Sequence, residues 1–253
     1  MSHRYRLAPV VAIAAIMLFA GSRPAHATLI VVPNATFQNP DVADAAFTDT
    51  NKDPVNAVPN WTFTHSGNGT LTAGVWDPAS VDYTIAGGNN TQLPGTAQGG
   101  QAAYIFLEQT NPATPLLLSG DLTTSAPVAI IESETSYTLT VALGRAKNVP
   151  VGDVTVALTI SGFPIAEVLV PAASITQDTF NDFSVNLTTF AKYPFAGEEL
   201  DARVTHTYGG AIDASLDIDN VRFDVTRVPE PGTASAALLA LGAVLPMSRR
   251  RRR

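Results

Sequence analysis

Apolar and polar residues alternate with a period of two along most of the chain between residues 100 and 227. Tyr137, Leu139, Val141 and Leu143 share one phase, while Thr138, Thr140 and Ala142 hold the other. That period places successive side chains on opposite faces of an extended backbone, so the stretch is a half-buried strand. Val154, Val156, Leu158 and Ile160 repeat the device, as do Phe183, Val185 and Leu187, and then Leu200, Ala202 and Val204. Earlier strands are expected at Leu29–Val32, Trp61–Phe63, Thr70–Trp76 and Val81–Ile85, with Ala103–Glu108 and Leu116–Leu122 following. Ser66-Gly67-Asn68-Gly69 carries the residues of a hairpin turn. The final strand holds Leu216 and Ile218 in one phase but Val221, Phe223 and Val225 in the other, which predicts a bulge at Asp219-Asn220. No stretch of the body has a useful helical period. Regularly spaced short strands in a body of about 200 residues predict one all-β domain, a two-sheet jelly-roll sandwich.

The two ends break this pattern. Arg4 and Arg6 precede a nearly unbroken apolar run, Leu7–Gly21, and Ala25-His26-Ala27 offers small residues for cleavage. Residues 1–27 are therefore expected to be a signal peptide, helical in its apolar part and cut by signal peptidase after Ala27. At the other end Val228-Pro229-Glu230-Pro231-Gly232 stops the last strand, because proline lacks an N–H and constrains the residue before it. An uncharged stretch, 233–246, follows, and residues 247–253 close on Arg249, Arg250, Arg251, Arg252 and Arg253. As a short helix the stretch enters a membrane transiently more easily than it anchors there. The arginines favour the cytoplasmic side.

Three of the 15 Lys and Arg lie in the leader and five in the terminal block, which leaves seven in the body against 22 acidic residues in the chain. Such a body repels nucleic acid and anionic lipid. With no cysteine, disulfides, thiol catalysis and thiolate-held metals are excluded. The body has only His65 and His206, too few for a histidine-rich zinc site, and His206 falls in a core-facing phase. No nucleophile elbow or phosphate loop occurs. Asp217 and Asp219 share a strand face, and Glu198-Glu199 precede Leu200, so these carboxylates are the candidates for a glycosidase pair, with acidic surface loops as the plainer reading. Trp61, Trp76, Tyr83 and Tyr104 are the ligand-binding candidates, since sugar rings stack on exposed aromatics; filling the core is the plainer role for both tryptophans.

Two resemblances add to this. The ordered tail of Pro-Glu-Pro motif, short apolar stretch and basic end resembles the PEP-CTERM sorting tail of bacterial exported proteins, also labelled an ice-binding protein C-terminal domain. It implies an exosortase-type processing enzyme as partner and delivery to the envelope or extracellular matrix. The series Asn34-Ala35-Thr36-Phe37-Gln38, Pro59-Asn60-Trp61, Gly74-Val75-Trp76, Gly99-Gly100-Gln101, Thr135–Val141 and Ile218-Asp219-Asn220-Val221 resembles galactose-binding-domain-like jelly rolls, which include many carbohydrate-binding modules. That resemblance implies a structural calcium near Gln38 and Asp219, weakened because Gln38 stands where such modules carry a glutamate. No cofactor is otherwise required. The expected role is non-catalytic: a structural or adhesive matrix protein that contacts extracellular polysaccharide, with a lectin-like module as the alternative and a secreted glycoside hydrolase behind it.

Overall fold

The computed structural model describes residues 27–228 apart from 44, 45, 47, 49–57, 68, 79–81, 85–91, 110–116 and 211. The expected signal helix and the tail beyond Val228 lie outside the described residues. Thr28–Val225 form one compact unit.

Among the described residues, twelve strands build it: β1 (Ala27–Ile30), β2 (Trp61–Ser66), β3 (Gly69–Trp76), β4 (Ala102–Gln109), β5 (Leu118–Thr124) and β6 (Ala129–Ile130) in the first half. β7 (Thr135–Arg145), β8 (Asp153–Ile160), β9 (Phe163–Val170), β10 (Thr179–Thr188), β11 (Glu199–Tyr208) and β12 (Ala214–Arg227) complete it. They form two six-stranded sheets. One runs β10-β7-β12-β4-β3 with β1 on β12, the other β2-β5-β11-β8-β9 with β6 on β11. The registered pairs are antiparallel. The chain is thus an all-β, two-sheet sandwich.

The core between the sheets is filled by the phases the alternation selects. Leu71, Ile105, Leu139, Leu216 and Phe223 come from the first sheet and Leu122, Val156, Leu158 and Val204 from the second. Tyr137 stacks on Phe223 at 5.9 Å, and Phe37 meets Trp61 at 5.3 Å. Burying each such side chain contributes about 1.5–3 kcal/mol.

Two expectations are corrected and one strand is added. Gly67 and Gly69 do not close a hairpin, because β2 pairs with β5 and β3 with β4, so the chain crosses here from one sheet to the other. Asp82, Tyr83 and Thr84 are not strand but loop, folded back over the first sheet. Phe163–Val170 is a strand the patterning did not reveal, since Pro164 and two exposed large apolar residues, Phe163 and Leu169, blur its alternation at the sheet edge. At Asp219-Asn220 the phase does change: Asn220 takes a left-handed φ of 45°, turning Val221 inward on the same face as Ile218.

Candidate active site

The first sheet is buried on both faces over part of its width. β7 alternates buried and half-buried from Thr135 to Val141, then is buried at every position from Ala142 to Gly144. β4 is apolar and buried on both faces from Ala102 to Ile105. What covers the outer face there is a second apolar cluster of Tyr83, Leu93, Ala97, Ala102, Ala142 and Phe180, with Trp76 at its margin. Tyr83 stacks on Phe180 at 5.2 Å and tilts against Trp76 at 6.5 Å.

Beside this cluster opens a cleft of about 440 Å³. Its floor follows from register. Thr72 and Trp76 on β3, Tyr104 and Phe106 on β4, and Ser215 on β12 all point outward, because Thr72 pairs with Phe106, and Phe106 with Ser215. Ala146 and Val149 form one wall and Asp82 another. Tyr104 is fixed by donating its hydroxyl to the Thr48 carbonyl at 2.6 Å. Gly74 makes this crossing feasible, since a Cβ there would lie 2.3 Å from the same carbonyl oxygen.

Asp217 lies two residues beyond Ser215 on the same face, paired with Tyr104, and is 1 % exposed. Its Oδ2 accepts the Tyr83 hydroxyl at 2.5 Å. Its Oδ1 and the Trp76 indole nitrogen are both buried without a well-formed hydrogen bond, yet the indole is close enough to favour the carboxylate. Burial dominates and pushes the carboxyl up to about 7. The Tyr83 hydroxyl, the Trp76 indole and the Ala146 N–H pull it down, and the nearby Asp82 charge adds to the rise. Tyr83, desolvated and facing Asp217, is held well above the usual phenol range and stays a donor. A carboxyl that exchanges a proton near neutrality thus lies beside an aromatic cleft, the arrangement acid–base chemistry needs.

The segment that carries Tyr83 is clasped in place. Asp178 accepts the Thr84 N–H at 2.5 Å and the Thr84 hydroxyl at 2.6 Å, and the Lys147 N–H reaches the Asp82 carbonyl at 2.9 Å.

Of the aromatic candidates, the structure brings Trp76, Tyr83 and Tyr104 together around Asp217. Trp61 belongs elsewhere, buried in the inter-sheet core, where its ring has no face open to a ligand. Tyr83 is likewise fully buried, so it acts on Asp217 rather than as a stacking platform. Gln38 and Asp219 meet on either side of Gln98. The Gln38 amide nitrogen donates to the carbonyls of Thr36, Gln98 and Gln101, and Asp219 Oδ2 accepts the Gln98 N–H at 2.5 Å. Burial pushes Asp219 up to about 8, against the pull of the Gln98 and Asn220 N–H groups, and its Oδ1 has no well-formed bond. His206 is a buried core residue accepting the Gly152 N–H at 2.9 Å, and Glu198 and Glu199 are exposed at the start of β11 in the other sheet. Val228 is the last described residue of the tail motif, and Ala27 opens β1.

The sequence reading singled out Asp217 only as half of a sugar-cleaving pair, and Asp82, Phe106 and Phe180 not at all. The available signal was β4, whose apolar residues occupy both phases and so require cover on both faces.

The family profile described as HpiC1 cyclase matches residues 28–224. The chain belongs to the HpiC1-like cyclase family. Among solved structures, a Stig cyclase from Fischerella sp. TAU in complex with (3Z)-3-(1-methyl-2-pyrrolidinylidene)-3H-indole is similar in fold, at 19% identity and TM-score 0.59, covering 80% of this chain and all of that one. A Fischerella sp. TAU cyclase in complex with 4-(1H-indol-3-yl)butan-2-one gives 19% identity and TM-score 0.57 over 80% of this chain and 100% of its own. No curated protein sequence matches the chain. Membership in the HpiC1-like family corrects the reading of the body as a carbohydrate-binding module and of the protein as a PEP-CTERM matrix component. It equally overturns the non-catalytic, lectin-like and glycosidase roles, because the matched family is one of cyclases. Short motifs of a sandwich fold misled there, since most of them mark the scaffold, and of that series only Trp76 is among the described residues lining the cleft on the outer face.

Proposed function

We propose that this HpiC1-like chain closes a ring in an apolar substrate bearing an indole or similar aromatic group and a reactive π bond, with Asp217 as the proton-carrying residue. The observation that carries the reading is the buried Asp217 carboxyl, pushed up to about 7 and hydrogen-bonded by Tyr83, next to an aromatic cleft large enough for such a substrate. In its acid form Asp217 gives a proton to the substrate π system, which generates a cation. The Trp76 and Tyr104 rings then stabilise that positive charge through their faces. An intramolecular double bond or the aromatic ring attacks the cation, and loss of a proton back to the Asp217 carboxylate ends the cycle with atoms conserved. The apolar walls exclude the water that would otherwise trap the cation. Tyr83 is a positioning residue that sets the acidity of Asp217.

The carbonyls of Thr36, Gln98 and Gln101, the Gln38 amide oxygen once turned inward, and Asp219 are hard oxygen donors fit for calcium. The unpaired buried Oδ1 of Asp219 supports that fit. A bound ion would fix the 98–101 loop to β12 and is given no part in the chemistry. We further propose that the body is exported after cleavage at Ala27.

The test is conversion of 3-alkenylindoles by the purified chain, followed by product mass and NMR. Asp217→Asn keeps the shape and removes the acid, so ring closure is expected to fall about 10²–10⁴-fold. Undiminished turnover by a folded Asp217→Asn protein would refute the assignment.

A further inference from the structure

Between β10 and β11 the chain reads Thr189-Phe190-Ala191-Lys192-Tyr193-Pro194-Phe195-Ala196-Gly197. This surface loop turns apolar rings to solvent: Phe190 is 61 % exposed and Phe195 44 %, and Ile130 on the neighbouring β6 is also exposed. The rings are gathered. Tyr193, packed partly on the inter-sheet core, meets Phe190 edge-on at 5.4 Å and Phe195 at 5.8 Å. The backbone beneath them is fixed: the Thr189 hydroxyl donates to the Glu132 carbonyl at 2.7 Å, the Gly197 N–H to the Ile131 carbonyl at 2.8 Å, and the Tyr193 N–H to the Phe190 carbonyl at 3.1 Å. Little ordering entropy is then left to lose when the rings meet a partner.

The position of the loop points to that partner. Tyr137, near the start of β7, stacks on Phe223, near the end of β12, and Thr188 at the end of β10 lies opposite Ser136. Val225 and the aromatic loop therefore share one end of the first sheet. The cleft lies at the other, at Ser215, about 30 Å of strand away. Residues 226–232 alone separate Val225 from the uncharged stretch 233–246, so at most about 25 Å of extended chain lies between them. A second copy of the chain is the poorer occupant. A stable protein pair needs about 800 Å² from each partner, more than the exposed parts of two phenylalanines and an isoleucine supply.

We propose that this end of the sandwich docks on a zwitterionic phospholipid surface, with Phe190 and Phe195 entering the acyl boundary and the cleft held on the aqueous side. Aromatic rings favour that interfacial layer, and Lys192, exposed between them, can lay its stem along the lipid with its ammonium at the phosphates. Glu198 and Glu199 follow the loop, so attraction to an anionic surface is not what seats it.

The experiment places a reporter in the loop, Phe195→Trp, in the full chain on phosphatidylcholine vesicles with brominated acyl chains. Its emission is expected to shift to the blue and to fall about twofold against unbrominated vesicles, as for a ring at acyl depth. The unmutated chain is the control, with Trp61 in the core and Trp76 at the cleft. Phe190→Ser in the reporter background, its folding checked by circular dichroism and melting, weakens insertion about tenfold and removes most of the quenching. A chain that sediments with the vesicles while the reporter stays unquenched overturns the proposal, as does a chain that does not bind them. Quenching that requires phosphatidylglycerol and disappears in high salt overturns it too. A dimer formed without lipid and dispersed by Phe190→Ser would assign the loop to a second copy and likewise overturn it.

Discussion

Replacing Tyr83 by Phe removes one hydroxyl and leaves the ring stack on Phe180 in place. The lost group is the donor to Asp217 Oδ2 at 2.5 Å. That bond favours the carboxylate, so its removal must raise the pKa of Asp217 further above about 7. A hydrogen bond to a charged group contributes about 1.5–3 kcal/mol, and one pKa unit corresponds to about 1.4 kcal/mol, so the rise is about 1–2 units. At pH 7.5 the acid fraction of Asp217 then grows from about a quarter to about nine-tenths. Trp76 is the natural reporter, because its indole lies against this carboxyl, whereas Trp61, the other tryptophan, sits in the inter-sheet core as a constant background. Fluorescence followed between pH 5 and 10 should show a midpoint that moves upward in Tyr83→Phe and vanishes in Asp217→Asn. The alkaline limb of ring-closing activity should move with it. A midpoint that stays put, or falls, would show that Tyr83 does not stabilise the ionised form and would refute the reasoning about the site's acidity.

Stability should depend on pH in a way set by the buried groups. Asp217 and Asp219 hold protons in the folded state up to about 7 and about 8, so the stability this gives is complete below the ordinary carboxylate range and lost as pH rises through those values. His206, lowered to about 4 mainly by burial, runs the other way: its contribution is present above about 6.5 and lost as pH falls towards 4, one proton against two. Urea midpoints should therefore decline from pH 5 to pH 8, and less steeply in Asp217→Asn, whose relative gain over that range is about 2–3 kcal/mol; an unchanged slope would mean that Asp217 is ionised when folded. Millimolar calcium should raise the melting temperature, and Gln38→Glu should tighten the response by restoring a second carboxylate, as a melting series with and without chelator will tell. Asp178→Ala should release Thr84 and with it Tyr83, cutting activity several-fold while costing only about 1–2 kcal/mol in urea unfolding; full activity in that variant would show that the clasp is not needed.

Most strands were legible because one face of each is core, and a period of two survives in the sequence. Where a strand lies at an edge, as Phe163–Val170 does, or where a turn links different sheets, as at Gly67–Gly69, the local pattern carries no information about the partner. The site was half legible for a related reason. The phase of Leu216 and Ile218 puts Asp217 and Asp219 on the opposite face, and this much can be read from five residues. That Tyr83 closes over Asp217 across 134 positions of chain is a matter of loop trajectory, which no periodicity records. The apolar run of β4 in both phases was the one local sign that the outer face is covered, and it was compatible with an ordinary buried strand.

Because strands β3, β4 and β12 present alternate residues to the core and to the cleft, odd and even positions answer to different selective pressures. Leu216 and Ile218 are constrained by packing, while the side chain of Ser215, between Ala214 and Leu216, is on the cleft face. A lineage can therefore change Thr72, Phe106 or Ser215, and with them the substrates accepted, without reopening the inter-sheet core. Such a sandwich is a scaffold on which new ring-forming specificities arise by single substitutions, and a library confined to those outward positions is the economical place to seek them.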